Sequence, residues 1–265
     1  MTMPRPVTLV TGASAGIGGA LAVQFAQKGH EVALLARRAL QLTTLADTIE
    51  ASGHKRPHIL VIDLARADAS TRIYDEMRVR GLDPQFIVNN AGFGMMGLAA
   101  ELDRIEQLAM IDLNIRMLTD LSLRFVDSLA RQRGGILNVA SIASFMPGPG
   151  MAVYHATKAY VLSFSEALHH ELAPRGVRVT ALCPGPVATE FQSRAGIPES
   201  YFPRFLARTA ERVAREGYDG LMRGKRVVVP GTENKVAAFL PRLLPRSMVL
   251  RMVRAHARQR PKSNT

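Results

Sequence analysis

The chain has no tryptophan and a single cysteine in 265 residues. A lone Cys183 excludes an intrachain disulfide and fits a reducing, cytoplasmic setting. No window offers the roughly eighteen uninterrupted apolar residues of a membrane span. Met1-Thr-Met-Pro-Arg-Pro leads straight into an expected strand, so no signal peptide is visible. Internal repeats and low-complexity segments are also missing. Acidic residues are scarce at one end only. Residues 204–265 hold fifteen Lys and Arg against four Asp and Glu, whereas residues 1–203 hold nineteen against eighteen. The net charge of +12 therefore belongs almost wholly to the C-terminal quarter. That quarter lacks interleaved aromatics or a nucleic-acid motif, and no nucleic-acid partner is expected.

What is present is an alternation of short apolar runs with helical patterns, the signature of βαβ units around a parallel sheet. Expected strands are Val7–Thr11, Val32–Ala36, Ile59–Asp63, Phe86–Asn89, Ile136–Ala140, Val177–Leu182 and Arg226–Val229. Expected helices run near 16–28, 39–52, 67–80, 103–132, 152–173 and 204–217. Gly29, Gly53, Gly81 and Gly176 follow four of these, where a left-handed C-cap favours glycine. The fold class is α/β, a Rossmann-type doubly wound parallel seven-stranded sheet in order 3-2-1-4-5-6-7 with helices on both faces. Ligands are expected outside the carboxyl ends of its strands. Residues 1–231 form one domain with a lid at about 190–217, and 232–265 a basic extension.

The chemistry concentrates in Tyr154-His-Ala-Thr-Lys158. Tyr and Lys four apart share one helix face, and an ammonium beside a phenol is expected to pull its pKa below about 10. Ser141 ends the apolar run that begins at Gly135, placed to orient a carbonyl oxygen over that phenol. Upstream, Val7-Thr-Leu-Val-Thr-Gly12-Ala-Ser-Ala-Gly16-Ile-Gly18 runs a strand into glycines and then a helix, the layout that receives a pyrophosphate. After the second strand comes Leu35-Ala-Arg-Arg38 with no acid, so Arg37, helped by Arg38 and Ser14, is expected to take a 2′-phosphate. These features imply a nicotinamide oxidoreductase using NADP(H). The alternatives are a structural tight turn for the glycines and a solvated surface for the arginines. His155 should face away from Tyr154, His169-His170 should lie at the surface, and Cys183 should be a small buried hydrophobe. No metal site is expected.

Thr11-Gly-x-x-x-Gly16-x-Gly18, Asn89-Asn-Ala-Gly92, Asn114, Ser141, Tyr154-x-x-x-Lys158 and Pro184-Gly185 stand in the order and spacing of one family. Over residues 5 to 231 the chain resembles the short-chain dehydrogenases/reductases. The resemblance implies Asn114, Ser141, Tyr154 and Lys158 as catalytic residues. Lys158 would bond the nicotinamide ribose and lower the Tyr154 pKa, and Asn114 would hold a water, unless it merely satisfies a helix kink. It implies a cofactor site built from Gly12, Ser14, Ala15, Gly16, Ile17, Gly18, Arg37, Arg38, Asp63, Leu64, Asn90, Ala91 and Gly92. Tyr154, Lys158, Pro184, Gly185, Val187 and Thr189 complete that site. Asn89 would stabilise the sheet as much as touch cofactor. A homodimer or homotetramer through helices 103–132 and 152–173 is implied as well.

The family's variable lid lies between the sixth and seventh strands, and here it carries Phe191, Ile197, Tyr201, Phe202 and Phe205. With Phe93, Met95, Met96, Phe145, Met146 and Met151 it suits an apolar carbonyl or alcohol. Phe93, Phe145, Met151, Phe191 and Tyr201 are the expected substrate residues. Reduction of an apolar ketone, aldehyde or acyl substrate leads. An oxidative hydroxysteroid- or fatty-alcohol-type dehydrogenase and a nucleotide-sensing, membrane-recruited binding protein stay open. Pro241 and Pro245 break the tail, after which Ser247 is expected to cap a helix. Met248, Val249, Met252 and Val253 would line one side, and Arg251, Arg254 and Arg258 the other. Such a segment at 236–258 lies on an anionic membrane, packs over the pocket, or joins subunits.

Overall fold

The computed structural model describes residues 4–198 and 201–258. Seven parallel strands, β1 (Arg5–Thr11), β2 (Val32–Ala36), β3 (His58–Val61), β4 (Leu82–Asn89), β5 (Gly135–Val139), β6 (Arg178–Leu182) and β7 (Val227–Val228), form one sheet in the order β3-β2-β1-β4-β5-β6-β7. This is the expected Rossmann-like topology. Its helices are α1 (Gly16–Gln27), α2 (Ala39–Ala51), α3 (Ala69–Val79), α4 (Arg104–Ile111), α5 (Leu118–Arg124), α6 (Val126–Arg131) and α7 (Ala152–Leu172). Beyond β6 come α8 (Glu190–Arg194), α9 (Ala210–Met222), α10 (Thr232–Phe239) and α11 (Arg246–Arg258).

Covering both sheet faces removes any reason for strands to alternate. The residues Val32-Ala-Leu-Leu-Ala36 are accordingly buried throughout. One face packs Leu21 and Phe25 of α1, Leu42 and Ile49 of α2 and Val213 and Leu221 of α9. The other packs Ile73 and Met77 of α3 with Leu121, Leu129, Leu168 and Leu172. Gly29, Gly53, Gly81 and Gly176 all take positive φ at helix ends, as expected. Register pairs Thr11 with Leu35, Val10 with Val88, Asn89 with Asn138 and Val139 with Leu182. The carboxyl ends of β1, β2, β4, β5 and β6 therefore open on one edge, and the loops carrying the motifs converge there.

Several expected boundaries move. β3 ends at Val61, so Asp63 and Leu64 lie in the loop beyond it. The helix expected over 103–132 is three helices. Asp112–Met117 winds as a π turn between α4 and α5, and Phe125 (φ −106°) breaks α5 from α6. The helix expected over 204–217 is α9, displaced toward the C-terminus. A bridge between Val187 and Arg208 holds that strand-like stretch extended, and Thr209 Oγ1 then caps the helix by accepting from the Arg212 amide. Gly217 and Gly220 do not stop α9 but let it approach the sheet. A Cβ at Gly217 would meet Leu182 at 2.8 Å, and one at Gly220 would meet Val228 at 2.2 Å. The segment expected as a lid at about 190–217 thus includes residues of α9 that belong to the core. In the tail, α11 begins at Arg246, with Pro245 O accepting from the Met248 and Val249 amides; Ser247 is inside the helix and not its cap.

Candidate active site

A cavity of about 1400 Å³ runs along the carboxyl edge of the sheet. At one end it is walled by Gly12, Ser14, Ala15, Gly16, Ile17, Arg37, Arg38, Asp63 and Leu64. In the middle stand Asn90, Ala91, Gly92, Ser141, Tyr154, Lys158, Pro184, Gly185, Val187 and Thr189. The motifs scattered along the sequence thus share one space.

The glycine loop is built by close approach. Gly12 and Gly16 sit at φ +65° and +56°, a region that disfavours side chains. Gly18 does not line the cavity; a Cβ there would fall 2.3 Å from Gly12 O, so its role is to let α1 pack under the loop. Asn90 Nδ2 donates to Thr11 O at 3.0 Å and to Gly12 O at 3.2 Å, and Thr11 Oγ1 accepts from the Asn90 and Ala91 amides. That ties β4's loop to β1's. Asn89 is buried under the sheet edge, donating to Asn138 Oδ1 at 2.9 Å, which settles it as a sheet-stabilising residue away from the cavity. A nucleotide fits this cradle. Its bare glycine backbone, the Ser14 hydroxyl and two arginines face the same end, while the Arg38 guanidinium donates to Ser14 Oγ at 3.0 Å and pairs with Glu190 at 2.9 Å.

Tyr154 and Lys158 lie on adjacent turns of α7, both buried. Lys158 Nζ stands 6.0 Å from the Tyr154 ring centre and donates to Val139 O at 2.7 Å. Burial pulls the lysine down to about 8. Burial also pushes the Tyr154 hydroxyl up to about 12, and a hydrogen bond with Ser141 only partly offsets it. The expected depression of the phenol below its ordinary value is thus reversed, because desolvation outweighs the Ser141 hydrogen bond. Tyr154 holds its proton at neutral pH. Ser141 caps a 3-10 turn over Ile142–Phe145, accepting from the Ala143 amide at 3.1 Å.

Asn114 does not face the cavity. It sits in the π turn, accepting from the Phe93 amide at 3.1 Å and donating to Phe93 O at 3.0 Å and Thr157 Oγ1 at 3.1 Å. These bonds lock β4's loop against α7 one residue from Lys158. Of the expected substrate residues, Phe93, Met151, Phe191 and Tyr201 line the cavity, and Phe191 packs on Tyr154 at 5.4 Å between ring centres. Phe145 does not. The 3-10 turn points it away from Ile142 and Ala143, into a separate apolar cluster beneath Arg242. His155 Nδ1 donates to Met146 O at 2.9 Å yet the side chain still forms cavity wall, so it is not turned fully aside. His169 is half-buried against Val179 O at 2.8 Å rather than at the surface. Cys183 is a fully buried hydrophobe, as expected.

A family profile described as short chain dehydrogenase matches residues 6–199. The chain belongs to that family. It is an oxidoreductase of the kind that works at alcohols or carbonyls. Sulfoacetaldehyde reductase 2 of Chromohalobacter salexigens is 36% identical over 70% of this chain and 74% of its own length. The NADPH-dependent 1-acyldihydroxyacetone phosphate reductase of Schizosaccharomyces pombe is 34% identical over 74% of this chain and 67% of its own. Among solved structures, a short-chain dehydrogenase from Sphingobium yanoikuyae in complex with NADPH superposes with a TM-score of 0.78 at 28% identity, covering 98% of each chain.

Of the placements left open for the tail, the structure shows packing over the pocket. Leu240, Leu244, Val249, Met252 and Val253 of the tail close one side of it. The apolar side of α11 therefore packs over the pocket, while Arg251 and Arg254 stay exposed; the Arg258 side chain and residues 259–265 lie outside the described residues. Glu106 and Arg194 also line the cavity.

Proposed function

We propose that the protein is an NADPH-dependent reductase of a bulky apolar ketone, aldehyde or acyl carbonyl. The observation that carries this reading is a protonated Tyr154 hydroxyl in a long, mostly apolar cavity with Ser14, Arg37 and Arg38 at its nucleotide end. A bound reduced nicotinamide supplies the hydride to the carbonyl carbon. Tyr154 passes its proton to the oxygen as negative charge builds there. Ser141 donates a hydrogen bond to the same oxygen, an interaction that strengthens toward the transition state. Lys158 holds positive charge beside the phenol and a ribose hydroxyl, and Asn114 positions it by fixing the loop at Phe93. Asp63 and Leu64 would flank the adenine of a bound dinucleotide, while Pro184, Gly185, Val187 and Thr189 would hold its carboxamide end.

The fit to 2′-phosphate rests on arginines where an acid would select a free ribose. Loss of reduced-nicotinamide absorbance against a graded series of ketones and aldehydes tests both halves. Turnover with NADPH should exceed that with NADH, and Arg37→Ala should weaken NADPH chiefly. Tyr154→Phe should lower the turnover number by about a hundredfold or more with nucleotide binding intact. Surviving turnover in that variant, or a lower Michaelis constant for NADH, would overturn the reading.

Assembly as a homo-oligomer through α4, α5 and α7 is supported by exposed Ile105, Leu108, Leu123 and Tyr160 on those helices; light scattering coupled to gel filtration tests it. The tail supports a second reading, peripheral contact with an anionic lipid surface. Val236, Phe239, Leu243 and Leu250 are exposed beside Lys235, Arg242, Arg246 and Arg251, and residues 234–265 contain no acid. No helix among the described residues is long and apolar enough to cross a membrane. Co-sedimentation with anionic vesicles should fall on deleting residues 236–265, and binding unchanged by that deletion would refute the contact.

A further inference from the structure

The lid helix α8 carries two opposite charges to the nucleotide end of the cavity. At its first residue, Glu190 pairs with Arg38 at 2.9 Å, and Arg38 in turn donates to Ser14 beside the glycine loop. At its last residue, Arg194 lays its guanidinium 4.4 Å over the Phe93 ring, directly after the Asn89–Gly92 motif. Just before the helix, Thr189 touches the space over Gly16, where a Cβ would lie 3.0 Å from its methyl group. The helix therefore lies across the groove from the phosphate-binding loop to the start of the substrate pocket.

Arg194 and Arg37 face the same cavity, and neither makes a hydrogen bond or ion pair among the described residues. By contrast Arg38, Arg208 and Arg212, on or near the same lid, are each matched to a carboxylate. Partial burial lowers the proton affinity of Arg194, and the nearby charge of Arg37 lowers it further; Glu106 opposes this from a distance without pairing. Two guanidinium groups turned toward one space and left without acceptors are arranged for an anion that bridges them. The planar fork matches phosphate oxygens two at a time. Stacking on Phe93 holds that fork flat while leaving its N–H edges free.

We infer that Arg194 is a phosphate ligand for the bound dinucleotide and draws α8 down over it opposite Arg37. This rests on the nicotinamide-dinucleotide reading above. Two phosphate sources share the chemistry, the pyrophosphate present in both cofactors and the 2′-phosphate present only in NADP(H). An anionic group on the substrate is the competing assignment.

Nucleotide affinity measured without any carbonyl separates them. Fluorescence of the reduced nicotinamide is titrated with NADPH and with NADH on wild type, Arg194→Met and Arg194→Lys. Thermal unfolding of the nucleotide-free variants first establishes that each is folded. The methionine variant should bind about tenfold more weakly, a loss in line with one charged hydrogen-bonding group, and lysine should recover part of it. Equal loss for both cofactors assigns Arg194 to the pyrophosphate, and loss confined to NADPH assigns it to the 2′-phosphate. Less than a twofold change for both overturns the inference, including the case where only the Michaelis constant of a carboxylate- or phosphate-bearing carbonyl rises. A wild type that prefers NADH would defeat the 2′-phosphate preference proposed for Arg37. The NADH titration would then decide Arg194 by itself.

Discussion

Replacing Lys158 with methionine should remove a pH dependence of stability that the wild type carries. Lys158 is buried in α7, and burial lowers its pKa from the ordinary 10.5 to about 8. Below the folded value both folded and unfolded chains hold the proton, and the folded chain bears the cost of burying it. Between the two values the folded chain has released a proton that the unfolded chain still binds, so stability rises with pH. The full difference corresponds to about 3 kcal/mol. Between pH 7 and pH 10 the rise from this group should be about 2.5 kcal/mol. Other groups titrate across that range in both proteins, so the informative quantity is the wild-type change minus the variant change. Urea unfolding followed by far-ultraviolet circular dichroism at the two pH values measures it, and the chain has no tryptophan to serve as a fluorescent probe. Methionine has a similar length and no charge, so the packing of α7 against Val139 is largely kept. A double difference below about 1 kcal/mol would refute the view that this lysine is held charged against desolvation.

The same absence of tryptophan makes tyrosinate absorbance clean. The difference titration between nucleotide-free wild type and Tyr154→Phe should show no step below about pH 10 and should rise toward 12, whereas a step near pH 8 would mean the ammonium dominates after all. Met151→Ala enlarges the cavity wall and should shift the preferred substrate toward bulkier carbonyls, while Phe145→Ala should leave the specificity profile unchanged and cost about 3–5 kcal/mol at most in stability. Equal changes in specificity from both variants would refute the placement of Phe145 outside the pocket.

The order of the sheet and the identity of the chemical groups were legible in the chain because they depend on local signals. Apolar runs such as Val32–Ala36 announce buried parallel strands, and Gly12, Gly16 and Gly176 mark backbone that side chains disfavour. Tyr154 and Lys158 share a face through helix geometry alone. What went astray depended on distant partners. The helix expected near 204–217 continues to Met222, because Gly217 and Gly220 admit Leu182 and Val228 against α9. The interruption at Asn114 could not be located from periodicity, since its reason is a set of bonds to Phe93 and Thr157, 21 and 43 residues away.

Sequence by itself determined the fold class, the family and the motif residues Ser141, Tyr154 and Lys158, because motif spacing and helical or strand periodicity are properties of neighbours along the chain. Only the tertiary structure decided how those groups are tuned and enclosed. The direction of the Tyr154 shift is a balance between burial and the Ser141 hydrogen bond, and burial is a sum over every element packed around it. Likewise Phe145 left the pocket while Val249 and Met252 entered it, since a cavity wall is set by which surfaces meet in space rather than by where they fall in the chain.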